Sequence, residues 1–77
     1  MNNYEYVGSV MCSGTLDNGE KWSGLRVCLA LLRDDKPFTL KVFKVARSCS
    51  DLVQDLGYLE RIQVLFDEKG RIADVIR

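Results

Sequence analysis

Two runs of alternating apolar and polar residues flank Asn18-Gly19, and they predict one long β-hairpin from Tyr6 to Leu31. An Asn-Gly pair between alternating runs is the strongest short-range hairpin signal, because both residues tolerate the positive φ of a two-residue type I′ turn. With that pair at the tip, Leu16 falls opposite Lys21, Cys12 opposite Leu25, Val10 opposite Val27, Gly8 opposite Leu29 and Tyr6 opposite Leu31. Opposed residues share a face. One face then collects Tyr6, Val10, Cys12, Leu25, Val27, Leu29 and Leu31. The other collects Val7, Ser9, Met11, Ser13, Thr15, Trp22, Gly24, Arg26, Cys28 and Ala30. A slip of one residue mixes the two sets, so the sorting supports the turn.

The pattern continues down the chain. Residues 4–16 and 20–32 read as the first two strands, with Gly8, Gly14 and Gly24 as places for a bulge or kink. Arg33-Asp34-Asp35-Lys36-Pro37 is polar and reads as a turn. Phe38 to Val45 alternates again, and pairing Leu31 with Phe38, Leu29 with Leu40 and Val27 with Val42 extends the apolar face over a third strand. Alternation stops at Ala46. Ser50 reads as an N-cap, Asp51 as first-turn acid and Gly57 as the stop of a short helix whose apolar side is Leu52, Val53 and Leu56. Two helical turns do not stand alone in water, so this helix is expected to plug one end of the sheet. Tyr58 to Phe66 reads as a fourth strand with Ile62, Val64 and Phe66 inward, and Asp67-Glu68-Lys69-Gly70 as a turn with Gly70 left-handed. Arg71 to Ile76 makes a fifth strand, on which Ile72 and Ile76 compete with Ala73 and Val75 for the inner face.

The order is β-β-β-α-β-β. A twisted sheet of this size hides its edges by curling. The expected fold is therefore mainly β: a five-stranded antiparallel barrel with one short helix closing its base, one domain over residues 1–77. Strand order and helix position resemble the oligonucleotide/oligosaccharide-binding (OB) fold. An SH3-like barrel, or an open sheet with one helix on it, is the alternative.

Composition narrows the function. Seventy-seven residues bury ~60–65% of the unfolded surface, an adequate but thin core that dimerisation would help. The apolar fraction of 47% and charged fraction of 29% are those of an ordinary soluble globular chain. Eleven basic and eleven acidic residues cancel, which argues against a strongly electrostatic binder of duplex DNA or of membranes. The polar start Met1-Asn2-Asn3-Tyr4-Glu5 does not read as a signal peptide, and no apolar run approaches the ~20 residues of a membrane span. Three widely spaced cysteines suit a reducing, cytoplasmic setting, and the hairpin register puts Cys12 and Cys28 on opposite faces.

Catalytic constellations are missing. There is no histidine, no C-x-x-C, no P-loop and no G-x-G-x-x-G. Asp34-Asp35 and Asp67-Glu68 sit in turns, and Ser48, Cys49 and Ser50 have no partner base in the sequence. The expectation is a non-enzymatic protein with no catalytic residues, metal or cofactor. The outward side of the first three strands is more informative. The expected register gathers Trp22, Arg26, Lys41 and Phe43 there, with Met11 among them, Val45 at the edge and Lys44 and Arg47 beyond. The acids lie mostly at turns, on the helix and in the last two strands. Bases of a single strand stack on aromatic rings for ~1–3 kcal/mol each while Lys and Arg follow the phosphates. Exposed apolar patches also mark protein interfaces. The two function classes are therefore single-stranded nucleic-acid binding and a small protein–protein module, adaptor or inhibitor, or a self-associating subunit such as a homodimer, using the same patch.

Two stretches, Gly14-x4-Gly19-x2-Trp22-x-Gly24-Leu25 and Ile62-x-Val64-x-Phe66-Asp67-Glu68-Lys69-Gly70-Arg71-Ile72, give the chain a pattern of lengths and turns that resembles the small single-stranded DNA-binding proteins of phages and mobile elements, which are compact OB folds. The resemblance implies sequence-tolerant coating of single strands, often by dimers, with Trp22, Arg26, Lys41 and Phe43 on the strand. The chain departs from that pattern in its neutral charge and in lacking long flexible loops.

Overall fold

The computed structural model describes residues 3–77; Met1 and Asn2, the start of the polar N-terminus, lie outside the described residues. The protein is mainly β, with five antiparallel strands in one sheet and one short helix. The strands are β1 (Tyr4–Thr15), β2 (Lys21–Arg33), β3 (Lys36–Lys44), β4 (Arg61–Phe66) and β5 (Ile72–Ile76), in the spatial order β3-β2-β1-β4-β5. A single 3-10 turn at Arg47–Cys49 leads into α1 (Ser50–Gln54) between β3 and β4.

The first hairpin turns at the expected place but on a larger loop. Leu16 N–H donates to Glu20 O at 2.8 Å and Gly19 N–H to Leu16 O at 2.9 Å, so three residues, Asp17-Asn18-Gly19, make the connection. Only Gly19 takes a positive φ, 86°, which is the three-residue loop ending in a left-handed glycine. Asn18 uses its side chain instead, accepting Glu20 N–H at 2.9 Å. The same pair of bonds recurs at the β4–β5 turn, from Asp67 N–H to Arg71 O and from Gly70 N–H to Asp67 O, with Gly70 at φ 78° as its sequence predicts. The two-residue connection with positive φ at both positions occurs at Asp34 (53°) and Asp35 (65°), between paired Arg33 and Lys36. Pro37, expected in that turn, is the second residue of β3, an edge strand that tolerates a missing N–H.

The extra loop residue shifts the β1–β2 register by one. Val10 faces Arg26, Met11 faces Leu25, Gly14 faces Trp22 and, past a bulge at Val7 beside Gly8, Tyr6 faces Leu29. β3 also slips by one, so Val27 faces Phe43, Cys28 faces Val42, Leu29 faces Lys41 and Ala30 faces Leu40. β2 keeps the faces expected of it, with Leu25, Val27 and Leu29 buried. β1 and β3 do not. Val10, Leu40 and Val42, expected inside, stand on the outer face at 61%, 64% and 68% exposure. Phe43, expected outside, is half-buried on the core face between Tyr4 and Phe66. Lys41 lies in the row of Leu29, not in that of Trp22. Cys12 and Cys28 now share the outer face; both are free thiols, as is buried Cys49.

The core is the inner row of β2 closed by Tyr6, Val45, Cys49, Val53, Leu56, Ile62, Val64, Ile72 and Val75. α1 adds Val53 to it and the turn after α1 adds Leu56, while Leu52 stays exposed. Ser50 is the first helical residue, not its cap; Cys49 holds the N-cap position without a side-chain bond. β4 starts at Arg61, later than expected, leaving Tyr58 and Leu59 exposed ahead of it. Phe66 keeps the expected side, opposite Ile72 and against Phe43, but is 43% exposed where the β4–β5 pairing slips. On β5 that slip makes Ala73 the extra residue, so Ile72 and Val75, three apart, both point inward. Val45 makes one parallel bridge to Ile72, and Ala46 N–H donates to Ile72 O at 2.9 Å. Among the described residues the ladder between β3 and β5 goes no further, so the sheet is not closed.

Candidate functional site

β3 stays paired to β2 only up to Lys44, opposite Arg26. Val45 N–H donates once more, to Leu25 O at 3.3 Å, and the chain then crosses to β5. Lys21 to Ser23 thus have β1 on one side and, among the described residues, no strand on the other. The space β3 vacates is a groove of about 300 Å³. Trp22, Arg26, Lys44, Arg47 and Arg71 line it, with Met11 at the β1 side.

Each functional side chain has a local reason for its place. The indole of Trp22, 39% exposed, lies across the outer surface of Gly14; a Cβ added at Gly14 would come within 2.8 Å of the ring. A glycine opposite an aromatic residue lets the ring lie flat on the neighbouring strand. Arg26 follows on the same face, its guanidinium 5.8 Å from the Trp22 ring and its Nη1 donating to Leu25 O at 3.4 Å. Gly24 leaves room for that guanidinium, since a Cβ there would sit 3.1 Å from it. Arg71 is held at the mouth of the β4–β5 turn, where its Nε donates to Asp67 Oδ2 at 2.8 Å. The Asp67 carboxyl also accepts the N–H groups of Arg71 and Lys69, and these bonds, that from Arg71 N–H first, hold it below the usual carboxylate range. Among the described residues no acidic side chain lines the groove. Arg71 is balanced by Asp67, so Arg26, Lys44 and Arg47 make the local field positive on a chain of zero net charge.

Of the residues the sequence singles out, Trp22, Arg26, Lys44 and Arg47 come together in the groove. Lys41 and Phe43 do not. Phe43 is occupied in the aromatic cluster, 5.8 Å from Tyr4 and 5.0 Å from Phe66. Arg71 was missed, because its place beside β3 depends on the long-range Val45–Ile72 bridge, which no local pattern announces. Among the described residues no group of three or more His, Cys, Asp or Glu is placed to hold a metal ion. Among the described residues no helix is long and apolar enough to cross a membrane. No family model matches the chain, and no curated protein or solved structure matches it either.

Proposed function

We propose that this protein is a non-enzymatic, cytoplasmic binding module that holds single-stranded nucleic acid, DNA in the first instance, in the groove where β3 leaves β2. The observation that carries the reading is the convergence of one exposed indole with Arg26, Lys44 and Arg47, joined by Arg71 on its Asp67 anchor, with no acidic side chain among the described lining residues. Unpaired bases stack on an aromatic face, and cations follow the phosphates without reading sequence. A duplex hides its base faces and would meet this groove only through its phosphates. We also propose that the sheet is an OB-like barrel left ajar. The β-β-β-α-β-β order and the Val45–Ile72 bridge support this, since that bridge draws the two ends of the sheet together.

Binding of a labelled oligo-dT, followed by anisotropy, tests the reading. Trp22→Ala is expected to weaken it about 5- to 150-fold, the equivalent of ~1–3 kcal/mol of stacking. Lys44→Ala and Arg47→Ala should weaken it and lower the slope of log K against log salt by ~0.7 per lost phosphate contact. Lys41→Ala, on the other face, should leave it unchanged. Unaltered affinity in Trp22→Ala overturns the reading. The second class, a protein partner or a second copy of the chain, is favoured by the unpaired edge of β3 and the exposed Leu40 and Val42 beside it. A defined partner captured from nuclease-treated lysate through that edge, with no oligonucleotide binding, would establish it instead.

A further inference from the structure

Arg26 also borders a second recess. On the outer face, toward the other end of β2, a shallow apolar depression of about 260 Å³ is framed by Gly8 and Val10 on β1, Cys28 on β2 and Val42 on β3. Its origin is the altered register. Val10 and Val42 stand outside where the sequence pattern would bury them, and they flank Gly8 and Cys28, which are too small to fill the space between. Solvated apolar side chains on a sheet face normally acquire a cover, and this patch continues the Trp22 groove through a shared arginine.

We propose that this depression is a second base-binding subsite, filled by the same strand after it passes over Arg26. The inference rests on the functional reading above and adds a footprint to it. Trp22 stacks one base, Arg26 takes a phosphate between the sites, and Val10, Cys28 and Val42 receive a later base by apolar contact. The apolar lining supplies no hydrogen-bonding code, so this subsite too tolerates sequence. Trp22 and Cys28 lie six positions apart on β2, about 20 Å at ~3.3 Å per residue. A stacked strand advances ~3.4 Å per nucleotide, so about six steps, or about seven nucleotides, reach both subsites and a stretched strand needs fewer. A dinucleotide reaches only one.

Cys28 is the built-in reporter. Its alkylation by N-ethylmaleimide, read by mass spectrometry, is compared with and without oligo-dT while Trp22 emission is recorded on the same samples. Buried Cys49, whose thiol is raised in pKa by burial and then by Asp74, reports any unfolding. The expected result is that dT8 quenches Trp22 and slows Cys28 alkylation at least tenfold, whereas dT2 at concentrations that quench Trp22 leaves Cys28 reacting at its free rate. Gly8→Ile serves as the second arm. A Cβ at Gly8 meets no atom within 4 Å, so the side chain starts into open space at the recess, and an unchanged melting temperature checks that the fold is kept. It should weaken dT8 about tenfold and leave dT2 unaffected. Quenching of Trp22 by dT8 with Cys28 alkylation unchanged and Gly8→Ile binding normally overturns the second subsite while the groove reading stands. Absence of any Trp22 response removes both.

Discussion

Trp22 depends on a residue that contributes no side chain. The indole lies on Gly14, and any Cβ there intrudes to 2.8 Å. Gly14→Ala is therefore expected to lift the ring off β1. Trp22 emission should shift to the red, and oligonucleotide affinity should fall almost as far as in Trp22→Ala with the melting temperature little changed. Fluorescence and thermal denaturation on one sample check this. Asp67 is the second residue on which the groove depends, because it anchors Arg71. Its carboxyl is depressed by the Arg71 N–H first and by the other bonds it accepts. Glu60 is depressed by its hydrogen bond from Arg77 and then by the N–H of Gly57. A carboxylate with a lowered folded pKa stabilises the fold above its unfolded pKa, and that contribution is lost as pH falls through the folded value. Melting temperature should therefore decline as the pH drops below ~4, and the decline should be shallower in Asp67→Asn.

At the scale of the element, the sequence is legible where one phase of the alternation is wholly apolar and opaque where both phases carry apolar residues. β2 has Leu25, Val27 and Leu29 on one phase against Gly24, Arg26 and Cys28 on the other, so its faces can be read directly. β1 has Val10 on one phase and Met11 on the next; β3 sets Leu40 and Val42 against Phe43. For those strands the face depended on where an extra residue falls: the third residue of the Asp17-Asn18-Gly19 loop turned β1 over, and a bulge at Phe38, between the Leu32–Pro37 and Leu31–Thr39 pairs, turned β3 over. Asn-Gly signalled a turn without fixing its size, while Asp34-Asp35 carried the positive φ values that the pattern assigned to Asn18-Gly19. Leu59 is the element-scale anomaly. It sits at φ 64°, held there by its N–H donating to Tyr6 O at 2.7 Å, with its side chain exposed. The left-handed region costs a residue of this kind ~1–2 kcal/mol, which asparagine largely avoids. Leu59→Asn should raise the melting temperature by about 4–8 °C, as ~1 kcal/mol does in a domain of this size.

The whole molecule is elongated, 46 × 23 × 21 Å, because the three-stranded part of the sheet runs past the core at both ends. Its stability rests on a few fully buried side chains, among them Leu29, Ile62 and Ile72. Ile62→Ala should cost ~2–5 kcal/mol and unfold much of the population in mild urea, since the total for so small a domain is only ~5 kcal/mol. Four of the six residues the sequence offered for the site converge, and they do so for a reason the expected register did not contain. Trp22 and Arg26 belong to β2, whose faces were legible, while Lys44 and Arg47 follow β3 as it leaves the sheet toward Ile72. The central claim is that this meeting point holds unpaired bases against Trp22. Titrating oligo-dT into the protein while following tryptophan emission tests it most directly, since Trp22 is the chain's one tryptophan. Saturable quenching is expected at micromolar protein in low salt, weakening steeply as salt is raised; emission that stays unchanged at low salt would mean that no base stacks on Trp22.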